Sequence, residues 1–219
     1  AQYNTIENLS FAAGLYQVPP NINSSGWDGT NFTINSDDGY MMLFQATWSP
    51  ALFGKDSGLS GVYQIGGYFY GGYEVQEFNS AGSRGNAYGF YIQGQQTVWV
   101  NENNSDNYVA VWAGAQYAPV ASVQQMTWMA YAGLQFQGFV PYRPNDGIYV
   151  SWLGGWFSKD YSDSQPDGAS CENVVEVTYV VQLNENVSIQ PDFQYIMQPY
   201  GNSNIDDAIV IGTQLLVSF

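Results

Sequence analysis

Apolar and polar residues alternate along most of this chain with a period of two. The last fourteen residues, Asp206 to Phe219, show it most plainly. Counting back from the C-terminus, Phe219, Val217, Leu215, Ile211 and Ile209 take the odd places, with Thr213 the exception, while Ser218, Gln214 and Gly212 stand among the even ones. Successive side chains of a strand point to opposite faces, so this pattern predicts a strand with one greasy face. A soluble sandwich would turn that face inward. A chain that stops on an aromatic inside its final strand also has the form of an outer-membrane β-barrel, and the rest of the sequence decides between the two.

The same alternation picks out earlier strands. Ser10 to Val18 sets Phe11, Ala13 and Leu15 against Ser10, Ala12 and Gly14, and Pro19-Pro20 stops it. Gly39 to Trp48 is a strand of poor alternation, because Met41 and Leu43 stand opposite Tyr40, Met42 and Phe44. Gly61 to Tyr70 follows. In Ala87 to Val100, Tyr88, Phe90, Ile92 and Val98 share a face with Gly94 and Gln96, and the other face carries Tyr91, Gln93, Gln95, Thr97 and Trp99. Further strands are predicted at Tyr108 to Tyr117, Thr127 to Gln137 and Gly147 to Phe157. Beyond them lies a cleaner hairpin, in which Val175, Val177, Tyr179, Val181 and Leu183 oppose Glu176, Thr178 and Gln182. Asn184-Glu185-Asn186 makes its turn. Val187, Ile189, Phe193, Tyr195 and Met197 then oppose Ser188, Gln190, Asp192 and Gln194. An aspartate among glutamines in mid-strand is out of place in an apolar core.

These ten strands alternate between two kinds of connection. Ser49 to Gly58, Asn101 to Asp106, Gly138 to Asp146 and Asn184 to Asn186 are mostly short; Pro19 to Asp38, Gly71 to Asn86, Lys159 to Ser170 and Gln198 to Asp206 are mostly long and polar. A sandwich has no reason to sort its loops this way, whereas an outer-membrane barrel has short periplasmic turns and long outer loops. The fold expected is therefore all-β, a transmembrane antiparallel barrel with about ten strands in this chain, and residues 1–219 form one domain.

Composition agrees. Aromatics make up 17% and charged residues 11%, against roughly 25% charged in ordinary soluble domains. Lipid-facing positions exclude charge, and lumen-facing ones favour uncharged hydrogen-bonding groups. No apolar run reaches the ~20 residues of a membrane helix. A net charge of −15, with Lys55, Arg84, Arg143 and Lys159 the only cations, excludes nucleic acid as a partner and disfavours anionic solutes. Cys171 stands alone, so no internal disulfide forms, and the lack of histidine removes the usual metal ligand and general base. No cofactor is called for. The chain begins at Ala1, read as a mature N-terminus or an internal cut.

Specific stretches carry a family resemblance. Glu176 to Tyr179, Ser188-Ile-Gln-Pro-Asp-Phe-Gln-Tyr195, Pro199, Asp207-Ala-Ile-Val-Ile-Gly212 and Val217-Ser-Phe219 resemble the C-terminal end of the carbohydrate-selective porins of the OprB type. Gly61-Val-Tyr-Gln-Ile-Gly-Gly67, Tyr88 to Gln93 with Gln96, and Gly138-Phe-Val-Pro-Tyr-Arg143-Pro-Asn-Asp146 follow the same family in the same order. The resemblance implies an outer-membrane barrel of sixteen strands that passes sugars by diffusion. Ten strands match the C-terminal part of such a barrel. A shortened barrel, a portion of a longer polypeptide, and a wall completed by a second chain or by a homo-oligomer are all open at this stage.

A porin does no chemistry; a wet, polar channel selects solutes by its width and lining. Neutral sugars suit amide and carboxylate hydrogen-bond partners with some aromatic faces. The candidate lining residues are Gln93, Gln95, Trp99, Trp112, Gln116, Gln135, Glu176, Gln182, Gln190, Asp192 and Gln194. For each, the plainer reading, and the favoured one residue by residue, is a wall residue satisfying its neighbours or water. Trp128, Tyr179, Phe193 and Tyr195 are read as interface girdle, and Arg143 as a structural residue at the short-turn rim. The aspartates between Lys159 and Ser170 fit no EF-hand spacing and are read as a solvated loop, not a Ca²⁺ bridge to lipopolysaccharide. Two other classes compete. A barrel enzyme would have to use Glu176 and Asp192 as paired carboxylates, and a purely structural barrel would have a narrow or plugged lumen.

Overall fold

The computed structural model describes residues 2–6, 8–19, 33–54 and 57–218, with backbone alone for 2–6. Lys55, Phe219 and residues 20–32 of the expected first long loop lie outside the described residues. The strands are β1 Gln2–Ile6, β2 Leu9–Val18, β3 Gly39–Trp48, β4 Gly61–Gln76, β5 Ser83–Asn101 and β6 Asn104–Tyr117. They continue with β7 Met126–Gln137, β8 Gly147–Phe157, β9 Cys171–Asn184, β10 Val187–Met197 and β11 Ala208–Val217. The ten expected strands are β2 to β11; the short, polar β1 is an addition.

Each strand pairs antiparallel with its neighbours in sequence, giving one sheet in the order β1 to β11. Among the described residues no ladder joins β1 to β11, so this is an open wall of the kind a partial barrel presents. Residues opposite one another across a ladder share a face. One face is apolar and outward-turned, with Leu15 73% exposed, Ile65 60% and Ile211 79%. The buried hydrophobic residues are small or peripheral: Ala87, Ala110, Ala118, Val120 and Ala169. A sandwich would bury Leu15, Ile65 and Ile211 against a second sheet; among the described residues there is a single sheet, and it leaves them uncovered.

Aromatic pairs mark both ends of the apolar face. Tyr40–Phe69, Tyr88–Phe90 and Tyr117–Trp128 lie at the long-loop rim, and Trp48–Tyr63, Trp99–Phe139 and Phe136–Phe139 at the short-turn rim. Tyr40 and Trp48 bound β3 about 26 Å apart along the strand at ~3.3 Å per residue. Tilted by about 40°, that spans roughly 20 Å of height, close to the ~25 Å apolar band between the aromatic girdles of outer-membrane barrels.

The connections depart from the sequence reading in two places. The stretch Gly71 to Asn86, expected as a loop, is largely a hairpin extension in which Val75 pairs with Arg84 and Gln76 with Ser83 beyond a register shift. Glu74 accepts from Ser83 Oγ at 2.7 Å and Gln76 Nε2 donates to Gly82 O at 2.8 Å, which holds the extension without a hydrophobic face. Within Lys159 to Ser170, also expected as a loop, Lys159–Ser164 forms a helix, α1. Ser158 caps it, accepting from Tyr161 N at 3.1 Å, and Lys159 pairs with Asp163 one turn on.

These outer connections hold one another. Phe78 at the β4–β5 tip meets Tyr161 of α1 edge to face at 5.1 Å, and Phe78 N donates to Ser122 O of the β6–β7 connection at 2.9 Å. Ser158 Oγ donates to Ala121 O at 2.9 Å, and Ser170 N to Gly201 O at 2.9 Å.

At the opposite rim Arg143 is structural, as expected. Its Nε and Nη2 donate to Asp146 at 2.8 and 2.9 Å, and Nη2 also donates to Gln182 O at 2.9 Å. Asp146, only 1% exposed, further accepts from Gln182 N at 3.0 Å and from the Tyr179 hydroxyl. Burial alone would raise the Asp146 pKa; hydrogen bonds from Arg143, Tyr179 and the Gln182 amide outweigh it and leave the carboxyl below its usual value. The β7–β8 turn is thereby fastened to β9.

Candidate functional site

The polar face is organised in rows that cross the strands at constant register. One row runs Val62, Gln95, Trp112, Gly133, Ser151, Glu176, Gln194 and Val210 from β4 to β11. Its neighbour toward the long loops runs Gln64, Gln93, Gly114, Tyr131, Leu153 and Val174. The row toward the short turns runs Thr97, Ala110, Gln135, Tyr149, Thr178, Asp192 and Gly212. Gln116 pairs with Tyr91 and Met129, and Gln190 with Gln214, on the same face. Period-two alternation on six adjoining strands, β5 to β10, thus places Gln93, Gln95, Trp112, Gln116, Gln135, Glu176, Gln190, Asp192 and Gln194 on one polar surface. Gln182 shares it at the short-turn rim, opposite Ser188, with its Nε2 tied to Asn184 O at 2.6 Å.

Trp99 does not belong to this surface. The register shifts between Thr97 and Trp99, so that Thr97 pairs with Ala110 but Trp99 pairs with Val109. One extra residue in a strand reverses the facing of everything after it. Trp99 therefore lies on the apolar face, 5.7 Å from the ring of Phe139.

Several polar-face residues are occupied within the wall. Gln93 donates to Gln64 and accepts from the Tyr131 hydroxyl; Tyr91 reaches Gln45. Gln135, 8% exposed, donates to Tyr108 and Tyr149 hydroxyls at 2.9 and 3.0 Å and is a brace. Gln45, Gln64, Tyr91, Tyr131 and Tyr149 complete this network; their sequence signal was the shared parity with the glutamines.

The acidic part of the face lies on β9 and β10. Glu176 accepts from Thr178 Oγ1 at 2.8 Å and from Gln194 Nε2 at 3.1 Å, and the same Gln194 amide lies 3.3 Å from Asp192. The Gln194 amide thus stands between the two carboxylates, which make no direct hydrogen bond to each other among the described residues. Among the described residues no Lys or Arg enters these rows: Arg84 and Lys159 lie at the long-loop end and Arg143 in its turn. No group of potential metal ligands is present among the described residues either.

Two concavities indent the polar face on either side of Trp112. A larger one of about 590 Å³ is lined by Trp112, Tyr131, Tyr149, Ser151, Glu176 and Gln190, and a smaller one of about 230 Å³ by Gln64, Gln93, Gln95, Trp112 and Tyr131.

An antiparallel meander with an outward apolar face, aromatic girdles at both rims and an amide-rich opposite face is wall from a transmembrane β-barrel. The chain belongs to the carbohydrate-selective porin, OprB family, whose pattern matches residues 1–219, and so to the bacterial outer membrane. It is 26% identical to the putative porin QuiX of Acinetobacter baylyi and 22% identical to porin B of Pseudomonas aeruginosa, in each case over 100% of this chain and 54% of the relative. These relatives are porins rather than enzymes. The fold matches Pseudomonas putida OprB in its high-pH structure with a TM-score of 0.88 at 19% identity, covering 100% of this chain and 57% of that one. Against the low-pH structure the TM-score is 0.57, with 97% and 62% covered. The chain thus spans about half the length of the curated relatives it matches.

Proposed function

We propose that this chain supplies most of the wall of a water-filled channel through which small neutral carbohydrates diffuse passively. The observation that carries the reading is the polar face: rows of amides, hydroxyls and aromatic rings, with the carboxylates of Glu172, Glu176 and Asp192 on β9 and β10 and no cation among the described residues, backed by an apolar face. Neutral, hydroxyl-rich solutes exchange hydrogen bonds with water for hydrogen bonds with such a wall at little net cost. Gln95, Trp112, Gln116, Glu176, Gln190 and Asp192 are the residues we assign to the lumen; Gln93, Gln135, Gln182 and Gln194 shape it from within the wall.

In this reading the short-turn rim is periplasmic, lipid and lipopolysaccharide contact the apolar face, and further strands, of the same polypeptide or of another chain, close the barrel. Eleven strands closed alone would give a much narrower bore than the sixteen that the family resemblance implies. The test is single-channel conductance of the intact protein in planar bilayers, with D-glucose added. Open-pore conductance that falls as glucose rises supports the proposal. Folded, inserted protein that stays silent overturns it and leaves a structural barrel with a plugged lumen.

A further inference from the structure

The row Trp112, Gly133, Ser151, Glu176 crosses four strands, β6 to β9. Three strand spacings put the Cα atoms of Trp112 and Glu176 about 14 Å apart along the sheet. Between them stand only a glycine and a serine. A Cβ at Gly133 would overlap the Trp112 indole, so the ring lies flat across that glycine and reaches toward Ser151. Tyr131 leans the other way, over Gly114 toward Gln93, with its ring 5.9 Å from that of Trp112. An aromatic shelf therefore ends on one side of a gap whose floor is Ser151. Glu176 stands across the gap, its carboxylate oriented by Thr178 and Gln194.

The concavity over this gap is the larger of the two, about 590 Å³, and Tyr149 and Gln190 complete its lining. That volume lies inside the roughly 300–1,000 Å³ range of small-molecule sites. The Trp112 indole N–H and the Gln190 amide have no hydrogen-bond partner among the described residues, and both line the gap. An apolar ring face, an ionised acceptor and an unengaged amide within one small concavity are what a sugar ring needs: its C–H face stacks and its hydroxyls donate.

Building on the channel reading, we propose that the gap between Trp112 and Glu176 is a saccharide station that admits neutral and amino sugars and turns away sugar acids. The discrimination comes from Glu176, with Asp192 one row away and no cation facing either among the described residues. A sugar carboxylate brought there meets like charge, whereas an ammonium group gains a partner.

The experiment uses the intact protein in planar bilayers and reads half-saturating concentrations for current blockade by D-glucose, D-glucosamine and D-glucuronate. The expected order is glucosamine at or below glucose, with glucuronate at least about tenfold weaker, a difference of ~1.4 kcal/mol. Trp112→Ala is expected to weaken glucose blockade about tenfold, and Glu176→Gln to bring the three sugars within about threefold of each other, by removing stacking and charge respectively. Ser151→Leu, which fills the floor and leaves both walls in place, reports independently should Trp112→Ala fail to fold; it too should weaken blockade by glucose. Trp99→Ala, on the other face, should change nothing. A silent wild-type channel would overturn the channel reading itself. A wild-type channel blocked by glucose, with blockade unchanged in Trp112→Ala or Ser151→Leu, or with glucuronate as effective as glucose, would overturn the station alone.

Discussion

Asp146 offers a sharp test of how the short-turn rim is held. Its carboxylate accepts four hydrogen bonds, two from Arg143 and one each from Tyr179 and the Gln182 amide, while being 1% exposed. Asp146→Ala leaves a guanidinium, a hydroxyl and a backbone N–H without their acceptor. Breaking a buried ion pair by removing one partner costs about 3–5 kcal/mol. Arg143 is 38% exposed and can turn to water, so we expect about 2–4 kcal/mol of destabilisation. Asp146→Asn keeps an acceptor for Gln182 N and should cost less, about 1–3 kcal/mol. The measurement is equilibrium unfolding of the intact protein in lipid vesicles, followed by tryptophan fluorescence in urea. A double-mutant cycle with Arg143→Gln should return a coupling of about 1 kcal/mol or more. If Asp146→Ala unfolds within about 0.5 kcal/mol of wild type, the size of an ordinary surface substitution, the turn is not fastened in the way described.

Three further outcomes follow from the same features. Because the folded Asp146 pKa lies below its unfolded value of about 3.9, its contribution is present above that value and lost as pH falls through the folded pKa; acid unfolding below about pH 4 should therefore be steeper in wild type than in Asp146→Asn. Ile92→Arg on the apolar face should destabilise the inserted barrel by about 2–4 kcal/mol, whereas Gln95→Arg, three residues on and facing the other way, should stay within about 0.5 kcal/mol and lower cation preference in reversal-potential measurements. Phe78→Ala removes the ring contact with Tyr161 and should raise hydrogen exchange across residues 73–84 while leaving exchange in β9 and β10 unchanged.

The alternation that made β2 to β11 legible is the direct imprint of two solvents on one sheet, and it also placed ten candidate residues on the polar face. What it missed has local causes. β1 has no greasy face in Gln2-Tyr-Asn-Thr-Ile6 to announce it. The β4–β5 extension rises beyond the apolar band, where Glu74, Gln76 and Ser83 pair by side-chain hydrogen bonds and periodicity no longer matters. The helix after β8 rests on one capping serine and six residues, too few for a helical period to show. Trp99 was misread because a one-residue shift reverses facing without altering composition. Gly133 and Gly114 read as weak strand positions, and only the rings lying over them reveal that their emptiness is what lets Trp112 and Tyr131 lie down.

Since among the described residues every strand pairs only with its neighbours in sequence, the wall is a ribbon divisible into hairpins. Adding or removing one hairpin changes the circumference, and hence the bore, while every other register, both girdles and the side of each loop are preserved, because a hairpin always returns the chain to the rim it left. Barrel width in such a wall is a whole-number variable that can be altered without redesigning any of the strands that remain.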